Sequence, residues 1–203
     1  MKILLINAPS KYAAVTTSDW DTTAEDIGAF PPIGLSYLAG YLTKYSSHEV
    51  KIIDTLAERL NYEQIEERVV NYNPDIVGIT AFTPTFYDVL SVAKIVKKRF
   101  PDCYVCLGGA HVTTYRNETM QHKEIDFLVH GEGEFIFINL LNALEKREDL
   151  SKLDAISFRK NGEAFHNIKN KGYISDVNSL PSPAFSLLPL EKYKSAIGTG
   201  AIC

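Results

Sequence analysis

The residues best suited to chemistry in this 203-residue sequence gather in four short stretches, each lying just after an apolar run. They are Asn7-Ala8-Pro9-Ser10, Thr80-Ala81-Phe82-Thr83-Pro84-Thr85, Gly108-Gly109-Ala110-His111-Val112-Thr113-Thr114 and Gly131-Glu132-Gly133-Glu134. Paired glycines remove side chains where a large planar or phosphate-bearing ligand needs close approach to the backbone. The threonines offer uncharged hydroxyl donors and acceptors, suited to amide or phosphate groups. Gly131 and Gly133 lead into a helical pattern, whose free N–H groups can bind an anionic or polar group. His111 has the side chain for a general base, a metal ligand or a ligand-facing hydrogen-bond partner; as a plain loop residue it would cap the next segment.

Other signals are structural. His130 ends an apolar run and reads as a packed core histidine, while His48, His122 and His166 are assigned no role. Glu132 and Glu134 resemble a carboxylate pair, but acids at a helix start are ordinary partners of its dipole. Cys103 and Cys106 form a CxxC spacing inside an apolar run, and strand periodicity sends positions i and i+3 to opposite faces. They read as small buried hydrophobes. The sequence holds no GxGxxG after its first run, no GxxxxGK[ST], no HExxH and no Ser-His-Asp signature. Catalysis by this chain alone is not expected.

The elements that must position these turns follow from the alternation of runs. Ile3–Asn7, Val50–Asp54, Ile76–Thr80, Tyr104–Leu107 and Asp126–His130 read as strands, several apolar throughout, as in a sheet covered on both faces. Between them, helical spacing predicts helices over Gly34–Tyr45, Tyr62–Asn71, Thr85–Phe100 and Glu134–Glu145. The third carries Lys94, Lys97, Lys98 and Arg99 toward its C-terminal end, where they complement the helix dipole. This is an α/β pattern, predicting a doubly wound five-stranded parallel sheet in the flavodoxin-like order 2-1-3-4-5. A ligand crevice then lies at the C-terminal strand ends, between strands one and three. The stretch from Ala8 to Phe30 has no clear period, and loops of that length are usually functional. Beyond residue 150, Lys160-Asn161-Gly162-Glu163 marks a β-hairpin turn. Residues 1–150 are read as the α/β domain, and 151–203 as a hairpin extension and linker leading away from the sheet.

Composition narrows the classes. A net charge of −4 and a pI near 5.7 argue against nucleic-acid or anionic-membrane partners, which need clustered cations. No window approaches a membrane span, and the N-terminal run is too short for a signal peptide. Three cysteines do not make a secreted disulfide framework, so the reducing cytoplasm is the expected compartment.

Taken in order, a set of segments resembles the cobalamin-binding domain that precedes the barrel of radical SAM enzymes. The set comprises Ile3-Leu4-Leu5-Ile6-Asn7-Ala8-Pro9, Phe30-Pro31-Pro32-Ile33-Gly34-Leu35-Ser36-Tyr37-Leu38-Ala39, Val50–Asp54, Pro74–Thr80, Leu107–Thr113 and Asp126–Glu134. Asp176–Ala184 is similar to the linker that joins such a module to the barrel. The resemblance implies cobalamin lying across the C-terminal strand edge, with its nucleotide tail between strands one and three. By position it implies Asn7, Pro9, Thr80, Thr83, Gly108, Gly109, His111, Thr113, Gly131 and Glu132 as cofactor-binding residues.

Two departures accompany the resemblance. The Asp-x-His-x-x-Gly motif, source of a cobalt-ligating histidine in other cobalamin proteins, is absent after strand one; many radical SAM relatives also lack it. The barrel with its CxxxCxxC motif is not in this sequence either, and Cys203 stands near where the first cluster cysteine is expected. One thiol cannot hold such a cluster, so the iron–sulfur cluster and S-adenosylmethionine are expected only in a longer parent chain. The first reading is a cobalamin-binding module presenting its corrinoid to a radical SAM barrel in cis, for methyl transfer or carbon-skeleton chemistry. The alternatives are a cofactor-free interaction or scaffolding domain, and a binder of another ligand such as a flavin or nucleotide.

Overall fold

The computed structural model of the protein describes residues 1–11, 28–160, 162–169, 174 and 176–195. Most of the long loop read between Ala8 and Phe30 lies outside the described residues, as does Cys203.

A seven-stranded sheet forms the centre, in the order β3-β1-β4-β5-β6-β7-β8. Its parallel part is β1 (Lys2–Asn7), β3 (Glu49–Asp54), β4 (Ile76–Thr80), β5 (Tyr104–Gly108) and β6 (Phe127–Val129). This is the predicted 2-1-3-4-5 order. The hairpin β7 (Ile156–Lys160) and β8 (Glu163–Asn167) pairs antiparallel with β6 and widens the sheet. The sequence reading has residues 151–203 leading away from the sheet; the hairpin instead joins it. The edge of the short β6 would otherwise present unpaired backbone groups, and β7 satisfies them. A two-stranded ribbon, β2 (Gly28–Ala29) with β9 (Lys194–Ser195), stands apart.

Alternation along β1 shows how one strand serves two cores. Leu4 and Ile6 face one apolar cluster, with Ile3 and Leu5 facing the other, and all four are fully buried. The first cluster is closed by α2 (Tyr62–Tyr72) and α3 (Phe86–Arg99); the second by α1 (Ile33–Tyr45) and α6 (Gly133–Lys146). Two short helices, α4 (Ala110–Thr114) and α5 (Arg116–Thr119), follow β5. Helix α2 begins at a capping box: Gln64 N–H donates to Asn61 Oδ1 at 2.9 Å and Asn61 N–H to Gln64 Oε1 at 3.0 Å. The basic end of α3 is tied down by ion pairs as well as matched to the dipole. Lys97 reaches Asp126 at 2.7 Å, and Lys98 and Arg99 pair with Glu66 of α2.

Cys103 and Cys106 take opposite faces, one in each apolar cluster. Burial pushes the Cys103 thiol up to about 12 and raises that of Cys106 as well, so both are inert, protonated packing groups.

After the hairpin, residues 176–195 return across α1. Ala184 N–H donates to Ser36 O at 2.9 Å, and Leu188 and Tyr193 are buried. The crossing needs Gly40, because a Cβ there would lie 2.4 Å from Ser182 O. Among the described residues, no helix is long and apolar enough to cross a membrane.

Candidate functional site

A cleft of about 610 Å³ opens at the C-terminal strand edge, on the face covered by α1 and α6. Its floor is β4 and β5. Gly78 stands opposite Cys106 and Thr80 opposite Gly108 in the parallel register, so residues two apart on each strand share this face. Three of these four residues are glycine or cysteine; Leu5 takes the room at Gly78, its Cδ2 2.8 Å from where a Cβ would lie, while Gly108 leaves a slot at the strand end. One wall is Pro31-Pro32-Ile33-Gly34-Leu35 with Leu38 of α1; the other is Gly131–Glu134 with Phe137 of α6. Exposed apolar side chains, Phe30, Ile33 and Phe82, stand at the rim.

The cleft glycines differ in why they are glycine. A Cβ on Gly34 or Gly108 would meet nothing within 4 Å, and on Gly133 only Val129 at 3.9 Å. The packing of the described residues does not require them. Gly109 is another matter. Its φ is +103°, and a Cβ would lie 2.8 Å from Ala81 O. The turns after β4 and β5 interlock there, with Ala81 N–H donating to Gly108 O at 2.7 Å and His111 N–H to Ala81 O at 3.1 Å.

The polar lining consists of Asn7, Thr80, Glu132 and Glu134, and the cleft contains no Lys, Arg or His among the described lining residues. Burial pushes the Glu134 carboxyl above the usual carboxylate range; a backbone hydrogen bond opposes this and the charge of Glu132 adds to it. Glu132 begins α6 without a side-chain cap, leaving first-turn N–H groups available, and its carboxylate accepts the Ile174 N–H. Asn7 is anchored from behind: its Nδ2 donates to Asp54 Oδ1 at 2.9 Å, and Tyr193 Oη donates to Asp54 Oδ2 at 2.8 Å. Asp54 is fully buried and Tyr193 is 1% exposed. Burial first, then the Asp54 hydrogen bond and charge, raise the Tyr193 hydroxyl far above its ordinary value, so it serves as a donor.

This geometry agrees with the comparisons with known proteins. The profile of the B12 binding domain matches residues 21–141. The chain belongs to the B12-binding domain family. It is 40% identical over 196 residues to an uncharacterized methyltransferase of Pyrococcus horikoshii, covering 96% of this chain and 40% of that protein. It is 32% identical over 178 residues to the anaerobic magnesium-protoporphyrin IX monomethyl ester cyclase of Rubrivivax gelatinosus, covering 84% and 31% respectively. The cobalamin-dependent S-adenosylmethionine radical enzyme OxsB, solved with aqua-cobalamin and S-adenosylmethionine bound, superposes with a TM-score of 0.74. At 18% identity, over 92% of this chain and 24% of that one, the likeness is one of fold. The chain thus spans two-fifths or less of the length of these relatives.

Within this B12-binding domain, the ten residues named from sequence separate. Asn7, Thr80, Gly108, Gly109, Gly131 and Glu132 line the cleft. Pro9 is buried and is not among the cleft-lining residues, and Thr113 is exposed on α4. Thr83 and His111 pair with each other on the opposite face, Nδ1 to Oγ1 at 3.1 Å. The His111 ring stacks on Phe86 with centroids 3.9 Å apart and is only 6% exposed. Burial lowers its pKa against the opposing charge of Glu118, and its Nε2 has no partner among the described residues. His130 is a packed histidine: its Nε2 lies 2.7 Å from Ser157 Oγ, which is also 2.7 Å from His166 Nδ1. No cluster of three His, Cys, Asp or Glu that could hold a metal occurs among the described residues.

Sequence reasoning missed Gly78, Cys106, Asp54, Tyr193 and the α1 wall as parts of the site. Gly78 carried a readable signal, since a lone glycine inside a strand marks a close approach. The Asp54–Tyr193 pair had none, being 139 residues apart.

Proposed function

We propose that this domain binds a corrinoid, cobalamin in the first instance, in the cleft between α1 and α6. The observation that carries the reading is the slot itself: a floor of small groups at Gly78, Cys106 and Gly108, with Gly34 and Gly108 open to space that no described residue enters within 4 Å of their missing Cβ. Such residues fit a bulky cofactor. A narrow appendage such as the nucleotide tail would enter the slot, and the macrocycle would rest against the apolar rim of Phe30, Ile33 and Phe82. Asn7, Thr80, Gly108, Gly109, Gly131 and Glu132 would hold it, with the first-turn N–H groups of α6 available to a polar group. Two carboxylates and no cation among the described lining residues disfavour the dianionic phosphate of a flavin mononucleotide or a nucleoside polyphosphate.

When bound, the corrinoid supplies a cobalt centre able to carry a methyl group. The chain's own contribution is to hold and orient it. In a longer protein the recipient is a radical SAM barrel in cis, which would bring the iron–sulfur cluster and S-adenosylmethionine for methyl transfer or carbon-skeleton chemistry. The returning segment 176–195 supports that arrangement, since it ends beside β2 at the same strand edge.

The test is retention. The protein is mixed with hydroxocobalamin and desalted, and its visible spectrum is recorded. Near-stoichiometric corrinoid is expected; a colourless protein that also gives no heat on calorimetric titration contradicts the reading and favours a cofactor-free scaffolding domain.

A further inference from the structure

Asn7 stands at the cleft mouth, and its amide has only one orientation compatible with what lies behind it. Asp54 Oδ1 already accepts the backbone N–H groups of Leu56 at 3.2 Å and Ala57 at 3.4 Å. An oxygen receiving those donors is an acceptor, so Asn7 must turn its NH2 toward it. The far carboxylate oxygen is held by the Tyr193 hydroxyl. Asn7 Oδ1 has no partner among the described residues, and it is therefore the atom left to face a ligand. Across the cleft, Glu132 and Glu134 present further acceptors, and among the described residues no cation lines the space between.

Corrinoids differ in their ring-edge arms, which are amides in the finished cofactor and carboxylates in unamidated forms. We propose that the Tyr193–Asp54–Asn7 chain fixes the cleft mouth as an acceptor edge, which selects corrinoids with amide arms over corrinoids with carboxylate arms. An amide arm donates N–H to Asn7 Oδ1 or to the glutamates. A carboxylate arm brings only acceptors and a negative charge to the same atoms, and among the described lining residues finds no cation to offset either. Asp54 and Tyr193 act through Asn7 and are positioning residues. The proposal rests on the corrinoid reading above.

The test compares two ligands that both lack the nucleotide tail: cobinamide, with amide arms, and cobyrinic acid, with carboxylate arms. Each is titrated spectrophotometrically into the full chain at neutral pH and equal ionic strength. Cobinamide is expected to bind at least about tenfold tighter, as for a ligand whose polar groups meet complementary rather than like partners. Asn7→Ala should narrow that ratio at least about threefold. Asp54→Asn keeps an acceptor for the Asn7 amide and should hold the wild-type ratio. A simple packing role for Asn7 would weaken both ligands alike and leave the ratio unmoved. Equal affinity for the two ligands, or an unchanged ratio in Asn7→Ala, overturns the proposal. A ratio lost in Asp54→Asn also overturns it, by assigning the preference to charge rather than orientation. Failure of the wild type to bind hydroxocobalamin is a separate result: it removes the corrinoid reading before selectivity arises.

Discussion

Where β4 and β5 end, the sheet is open on its α1–α6 face and closed on its α2–α3 face. The same two turns border both. On the open side, Gly78, Cys106 and Gly108 form the slot floor; among the described residues a Cβ on Gly34, Gly108 or Gly133 would touch nothing or almost nothing, whereas one on Gly78 would lie 2.8 Å from Leu5 Cδ2. On the closed side, His111 stacks on Phe86 and bonds to Thr83, and His130 and His166 share the Ser157 hydroxyl. Adjacent glycines show the contrast most sharply. Gly108 faces empty space, while Gly109 is demanded by a positive φ and by Ala81 O at 2.8 Å. A residue at a strand end is thus placed near a ligand crevice by topology, but the face it projects from decides whether it meets ligand or packing.

Breaking the interlocked turns beside the slot should cost stability. Gly109→Val forces a β-branched residue into a left-handed backbone and against a carbonyl, so chemical denaturation should show a loss of about 3 kcal/mol. A loss below half of that would mean the interlocked turns relax, and the contrast with Gly108 would weaken.

Acid sharpens the same comparison. Burial, then the charges of His166 and Arg116, lower the His130 pKa from 6.5 to about 4. Because the folded value is depressed, its stabilising share is complete above 6.5 and is lost as pH falls toward 4. Denaturation at neutral pH and at about pH 5 should therefore differ by roughly 2 kcal/mol from this group, less in a His130→Asn variant. An unchanged pH dependence in that variant would place the acid sensitivity elsewhere. The smallest effect belongs to His111→Ala, expected to cost about 1 kcal/mol through lost aromatic stacking. Corrinoid retention should be unaltered in it; a parallel fall in retention would draw the closed face into the site.

Much of this was legible from residue order. Continuous apolar runs such as Ile3-Leu4-Leu5-Ile6 require a sheet covered twice, and both apolar clusters confirm it. The four turns were likewise placed at one edge by the parallel order alone. Two things were not legible. The face on which His111 lies depends on how α4 packs against Phe86, a tertiary contact with no periodic signature. The Asn7–Asp54–Tyr193 chain joins three distant segments, and it forms only because the C-terminal segment folds back over α1. The hairpin was read correctly as a hairpin, but its docking on β6 depends on an edge that its own sequence does not announce.

The central claim, that the open face holds the corrinoid, is tested most directly at Gly108. Wild-type protein and Gly108→Leu are titrated side by side with hydroxocobalamin, following the visible spectrum, with denaturation curves recorded for each. The account predicts that Gly108→Leu keeps its stability to within about 1 kcal/mol, since its side chain enters open space. It also predicts that corrinoid affinity falls by about a hundredfold or more, because the slot is filled. Wild-type affinity in a folded Gly108→Leu protein would contradict it.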